Sequence, residues 1–147
     1  LQSLLRTHKF RQEEADLRTQ ANELIAFLGL SARANTLAAN LSYGEQRLLG
    51  VGLALAAKPK VLLLDEPAAG LNPSETEAFK EMVRRIGQSG VTVLLVEHDM
   101  HMVMSISDHI VVLNYGRLIA TGSPSEIQND PEVIRAYLGS GIEHAEN

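Results

Sequence analysis

The sequence contains no cysteine and no tryptophan, and only 4% of its residues are aromatic. Without cysteine there are no disulfides and no thiolate metal sites, and a reducing compartment suits the chain. With so few aromatics, the core must be built from Leu, Ile, Val and Ala. No run of about 18 apolar residues occurs, so no segment reads as a membrane-spanning helix. Residues 1–10 are basic but lack the apolar stretch of a secretion signal. The net charge is −5, which argues against a nucleic-acid surface, because phosphate contacts need clustered Lys and Arg. Neither G-x-x-x-x-G-K-[ST] nor G-x-G-x-x-G occurs, and no Gly is followed by Lys. These residues therefore hold neither of the common phosphate-binding loops. Internal repeats and low-complexity segments are also lacking.

What is present is enough for about one domain: 147 residues, 45% of them hydrophobic. Residues 11–28 read as an amphipathic helix, because Leu17, Ala21, Leu24, Ile25 and Leu28 recur at spacings of three and four, and Gly29 can end it. Residues 31–40 form a connection. A second helix is expected over 43–57, stopped by Lys58 before Pro59. Val61-Leu62-Leu63-Leu64 is apolar without alternation, the pattern of a strand buried on both faces. Residues 73–87 form another amphipathic helix, with Phe79, Met82, Val83 and Ile86 on one face. Asn72 can cap it, Pro73 suits its first position and Glu75 completes a capping box. Residues 91–96 read as a second buried strand, with a short helix after Asp99. Residues 110–113 and 118–121 flank Asn114-Tyr115-Gly116 as a hairpin. Ser123-Pro124 and Asp130-Pro131 each announce a short helix, and the tail beyond 139 is expected to fray.

Strand, helix, strand implies parallel strands with a right-handed crossover, and ligands sit beyond the carboxyl ends of such strands. The first strand ends in Asp65-Glu66 and the second in Glu97-His98. Asp65 suits a Mg²⁺ ion held through water, bridging nucleotide phosphates. Glu66 suits a general base for an attacking water. Against this stands a plain strand end, with Asp65-Glu66-Pro67 merely entering a turn. His98 suits a phosphate or water contact, or else a surface position at the start of a helix. His98 and His101 lie three apart, but no further His or Cys nearby makes up a zinc set. In Leu41-Ser42-Tyr43-Gly44-Glu45-Gln46, Ser42 and Glu45 fit a capping box. That box does not account for Gly44, which weakens a helix. A glycine beside free helix-terminal N–H groups lets an anion such as phosphate approach.

Taken together and in this order, the motifs resemble those of ABC (ATP-binding cassette) proteins, over essentially the whole chain. LSYGEQR, 41–47, resembles the family's signature, and VLLLDEP, 61–67, its Walker B strand with the catalytic glutamate. Ala69-Gly70-Leu71-Asn72 stands where the family has its D-loop, and His98 where it has the switch histidine. DEPAAGLNPSE, EHDMHMVMSISD and GSPSEIQNDPEVIRAYLG are most similar to the ATP-binding subunits of bacterial branched-chain amino-acid importers. Three positions depart from the usual pattern: Tyr43 replaces Gly, Glu45 replaces Gln, and Asn72 replaces Asp. Glu45 matters most, because a carboxylate near phosphate is unfavourable unless it caps the helix.

The resemblance implies an α/β fold, a partial P-loop NTPase core with parallel strands. Residues 1–41 would belong to the helical subdomain, 42–122 to the second half of the catalytic core, and 123–147 to a C-terminal extension with short helices. It implies ATP and Mg²⁺ as cofactors, Asp65 at the metal, and Glu66 and His98 as catalytic residues. Ser42, Tyr43, Gly44 and Glu45 would meet the nucleotide of a second ATPase subunit in trans, and Gly70, Leu71 and Asn72 would lie at the dimer interface. Further expected partners are membrane permease subunits and, indirectly, a periplasmic solute-binding protein, with no nucleic acid. The expected location is the cytoplasmic face of the cell membrane. The family's phosphate-binding loop would precede Leu1, which gives the expectation of a truncated chain, inactive alone. The same loss would expose a strand edge and favour oligomers. Two alternatives are a non-transport ABC ATPase, disfavoured by the lack of heptads and of positive charge, and a non-catalytic interaction module.

Overall fold

The computed structural model describes residues 8–138. The expected fraying of the tail concerns residues outside that range, as does most of the basic start. The chain divides into two compact units, Leu1–Val96 and Glu97–Asn147.

The first unit opens with helix α1, His8–Phe27, followed by two short 3₁₀ turns, Ser31–Arg33 and Ala38–Asn40. Helix α2 spans Tyr43–Ala56, strand β1 Val61–Asp65, helix α3 Pro73–Gln88 and strand β2 Thr92–Val96. The strands pair in parallel, from Val61 beside Thr92 to Asp65 beside Val96, and α3 packs beside β2. The elements start where side chains can satisfy their free N–H groups. Ser42 and Glu45 form a reciprocal capping box on α2, and Asn72 and Glu75 form another on α3, with Pro73 in its first turn. Phe79, Met82, Val83 and Ile86 are all buried, as the spacing predicts.

Two expectations change. The strands are not buried on both faces. Leu62 and Leu64 are buried, while Val61 is 52%, Leu63 69%, Leu94 58% and Val96 56% exposed. Side chains alternate across a strand, so a two-stranded sheet with cover on one side leaves the other row open. Likewise, the apolar stripe of α1 is only partly used. Leu28 is buried and Leu24 and Ile25 are half-buried, but Leu17 and Ala21 are exposed. Only the C-terminal end of that stripe finds packing partners.

The second unit contains helix α4, Met100–Ile106, then strands β3, Ile110–Asn114, and β4, Arg117–Gly122, which pair antiparallel. Tyr115 and Gly116 both have positive φ, 46° and 75°, which suits the right-handed twist of a two-residue hairpin. Helix α5, Pro124–Gln128, and helix α6, Pro131–Val133, follow, and the latter runs on as a π-helical turn, Ile134–Leu138. Ile110, Val112, Ile127 and Val133 form the core here, with Met100, Val103 and Met104 packed against it.

Phe79 is 1% exposed at the centre of the α3 face. Phe79→Ala is expected to cost about 3–5 kcal/mol, whereas Leu17→Ala on the open stripe should change stability by under about 0.5 kcal/mol. Urea unfolding of the two variants separates these cases.

Candidate functional site

Of the candidate residues of the first unit, Ser42, Tyr43, Gly44 and Glu45 form the start of α2, and Tyr43 reaches Gly70. Ser42 Oγ accepts the Glu45 N–H at 3.2 Å, and Glu45 Oε2 accepts the Ser42 N–H at 2.8 Å. The same Glu45 carboxylate receives Arg33 Nε at 2.9 Å. Glu45 therefore caps the helix and is charge-paired, so the acidic departure in the motif is compensated within the chain. Its carboxyl sits below its ordinary value of 4.5, first through the Ser42 N–H and then through Arg33. Arg33 was not legible as a partner: it lies twelve residues away, in a turn with no periodicity to relate the two.

Tyr43 is half-exposed and held from two sides. Arg47 donates to its hydroxyl from Nε at 3.1 Å and from Nη2 at 2.6 Å, with its guanidinium carbon 5.1 Å from the ring centroid. The ring itself lies against Gly70. A Cβ added at Gly70 would sit 3.2 Å from Tyr43 Cε1, and Gly70 has φ +80°. Both space and backbone thus favour glycine there. Gly44 is buried, and a Cβ added there would stand 2.7 Å from Glu75 Oε1. Glycine at 44 accordingly has a packing reason beside the anion reading: it leaves room for the Glu75 carboxylate. The other oxygen of that carboxylate accepts the Asn72 N–H at 3.0 Å. Asn72 Oδ1 in turn accepts the Glu75 N–H at 3.0 Å. Asn72, the departure from Asp, keeps an acceptor oxygen and caps α3 with it.

Asp65 and Glu66 stand at the carboxyl end of β1, both exposed. Among the described residues, Glu66 is one of three non-glycine residues with positive φ, 42°. Its N–H donates to Val96 O at 2.9 Å, and its carbonyl accepts the Ala69 N–H at 3.2 Å. The backbone bracing of Glu66 is therefore shared between the end of β2 and the turn toward Gly70. Leu71 N–H donates to Ala68 O at 3.1 Å and closes that turn.

His98 belongs to the second unit. Its side chain is 71% exposed, while that of Glu97 is 2% exposed. His98 N–H donates to Glu97 Oε2 at 3.3 Å, and its Nδ1 lies 3.9 Å from the same oxygen. Asp99 caps α4, accepting from His101 N–H at 2.9 Å and Met102 N–H at 3.1 Å. Among the described residues no three His, Cys, Asp or Glu side chains converge as a metal-binding group. None of the described helices is long and apolar enough to cross a membrane.

A parallel β–α–β unit with an acidic strand end, joined to a capped glycine-containing helix start, defines part of a P-loop-type nucleotide-binding cassette. Family comparison agrees. An "ABC transporter" model matches residues 2–69, and a "Branched-chain amino acid ATP-binding cassette transporter" model matches 117–143. The chain is 46% identical over 140 residues to the high-affinity branched-chain amino acid transport ATP-binding protein BraF of Pseudomonas aeruginosa, covering 95% of this chain and 55% of that protein. It is also 46% identical over 137 residues to the corresponding LivG protein of Salmonella typhimurium, covering 92% and 54%. A crystal structure of the ADP conformation of MJ1267, an ATP-binding cassette of an ABC transporter, matches with a TM-score of 0.76 at 31% identity, over 84% of this chain and 50% of that one. The chain is thus similar, over nearly its whole length, to the ATP-binding cassettes of ABC transporters. It spans about half the length of the curated relatives it matches.

The Glu45 environment fixes an acid dependence. A carboxyl depressed on folding contributes stability that is present above its unfolded value and lost as pH falls through the folded value. Urea midpoints followed downward from about pH 5 should therefore fall, and the fall should be shallower in Glu45→Gln. Glu126, lowered by the Ser123 N–H and then the Ser123 hydroxyl, supplies a similar step in the second unit. Equal acid slopes for Glu45→Gln and wild type would contradict the assignment.

Proposed function

We propose that this chain carries the signature- and Walker-B-bearing part of an ABC importer ATPase serving branched-chain amino acids. The observation that carries the reading is the joining of two motifs. The helix start 42–45 docks on the turn that follows Asp65-Glu66, through Tyr43 on Gly70. The relatives named above supply the solute class, since no residue at this site reads an amino-acid side chain.

In this reading Asp65 holds Mg²⁺ through water. A single exposed carboxylate fits an ion that keeps most of its own hydration. The metal, when bound, neutralises charge on the nucleotide phosphates. Glu66 takes a proton from the attacking water, its carboxylate aimed by a backbone pinned at both its N–H and its carbonyl. His98 contacts the γ-phosphate. Ser42 and Gly44, with Tyr43 and Glu45 beside them, present helix N–H groups to the γ-phosphate of ATP on a second ATPase subunit. Gly70, Leu71 and Asn72 lie at that subunit interface. The assembly docks at the cytoplasmic face of permease subunits that a periplasmic solute-binding protein supplies. Residues 1–41 act as the helical subdomain, 42–122 as the catalytic half and 123–147 as the extension.

The 147 residues contain no G-x-x-x-x-G-K-[ST] loop, so by themselves they are expected to turn over no ATP. Joined behind the phosphate-loop half of BraF from Pseudomonas aeruginosa, they should give steady-state ATP hydrolysis. Glu66→Gln should lower it by roughly 10²–10³-fold, the scale of a lost general base. Full activity in the Glu66→Gln protein would sink the assignment.

A further inference from the structure

Two contacts hold the start of α2, one to the turn after β1 and one to the first turn of α3, and they share a feature: each uses a glycine on one side and a tethered side chain on the other. Tyr43 sits on Gly70 and is tethered by Arg47, through two donors to its hydroxyl. Glu75 sits on Gly44 and is tethered by its own capping bond to Asn72 N–H. Tyr43 leaves α2 toward the turn, and Glu75 leaves α3 toward α2, so the contacts cross in opposite directions. Arg47 is the last residue of the signature-like run 41–47, Glu75 lies outside that run and outside the 69–72 turn, and no step of the proposed reaction uses either.

We propose that these contacts form a two-point latch that makes the first turn of α2 and the turn 66–72 move as one body, with Arg47 and Glu75 as its positioning residues. This rests on the functional reading above for its purpose, but not for its existence. A pair of contacts pointing in opposite directions resists both sliding and hinging, whereas a single contact is a pivot. The consequence is that the residues offered to a partner's nucleotide, Ser42 and Gly44, cannot shift without moving the turn that leads away from Glu66. One chain would thereby report the state of one ATP site to the other through a rigid join rather than a loose loop.

Amide hydrogen exchange on the 147-residue chain tests the latch without nucleotide. Arg47→Ala should speed exchange at Ala69 and Leu71, whose N–H groups bond within that turn, about fivefold or more, although the Arg47 hydrogen bonds described above go to Tyr43, and leave Leu62 and Leu64 in β1 unchanged. Arg47→Lys, which keeps a donor for the Tyr43 hydroxyl, should restore protection to within about twofold. Unchanged exchange in Arg47→Ala overturns the latch, and so does a failure of Lys to rescue. A double-mutant cycle tests the other point. Gly44→Ala should lower the urea midpoint in the wild-type background and lower it less with Glu75→Ala already present, because the clashing carboxylate is gone. Equal losses in both backgrounds overturn that contact.

In the joined cassette, Arg47→Ala should lower kcat severalfold while the KM for ATP stays within about twofold. An unchanged kcat overturns the positioning role. The ATPase reading fails separately, through the Glu66→Gln comparison, and its failure leaves the exchange and cycle results intact.

Discussion

The chemistry of the first unit depends on one steric constraint: two glycines let two helix starts approach each other. Gly44 leaves room for a carboxylate and Gly70 leaves room for an aromatic ring. A methyl group at either place meets a neighbour within 3.2 Å, closer than packed carbon atoms ordinarily come. Because both approaches occur at N-termini, two positive helix ends lie close together. Charge must then be managed, and two carboxylates do so. Glu45 caps α2 and pairs with Arg33, while Glu75 caps α3 and faces the α2 start.

That arrangement resolves the one local conflict in the motif. A carboxylate at 45, where the family usually has an amide, places negative charge beside a helix start suited to anions. Both Glu45 oxygens are committed, one to a backbone N–H and one to a guanidinium. The charge is thus spent on the chain itself. Helix N–H groups at Tyr43 and Gly44 come before the capped one at Glu45, and the first turn of any helix leaves such donors without intrahelical partners. The substitution keeps the helix start suited to an anion while changing who neutralises what.

Most of the element order was legible because each element carries its own start signal. Ser42 with Glu45, Asn72 with Pro73 and Glu75, and Asp99 mark helix starts that the structure places at those residues. The hairpin was legible from Asn114-Tyr115-Gly116, and the parallel pair from two apolar runs about thirty residues apart. What was not legible depends on long-range packing. The run Val61-Leu62-Leu63-Leu64 reads the same whether one face or both are covered, and only the partners decide. The same holds for Leu17 on α1. At the candidate site, residue types and local caps were readable, but Arg33 on Glu45, Glu75 on Gly44 and Tyr43 on Gly70 pair residues far apart in sequence. No periodicity or cap rule connects them.

The backbone at Glu66 gives the acidic strand end its asymmetry. Among the described residues, three non-glycine residues have positive φ: Lys58, Glu66 and Tyr115. Two of them have local explanations. Lys58 ends a helix before Pro59, where the α conformation is disfavoured, and Tyr115 occupies a hairpin turn that needs such a φ. Glu66 has neither excuse, and its backbone is held in place by Val96 O on one side and Ala69 N–H on the other. A left-handed residue costs on the order of 1–3 kcal/mol and persists where its surroundings over-determine it, as these two backbone bonds do here. Asp65 remains in the strand, paired beside Val96, while the next residue turns out of it. Two adjacent carboxylates that would otherwise alternate across the same sheet are thereby given independent directions. In the function proposed above, that independence lets Asp65 face a hydrated metal ion while Glu66 faces the attacking water.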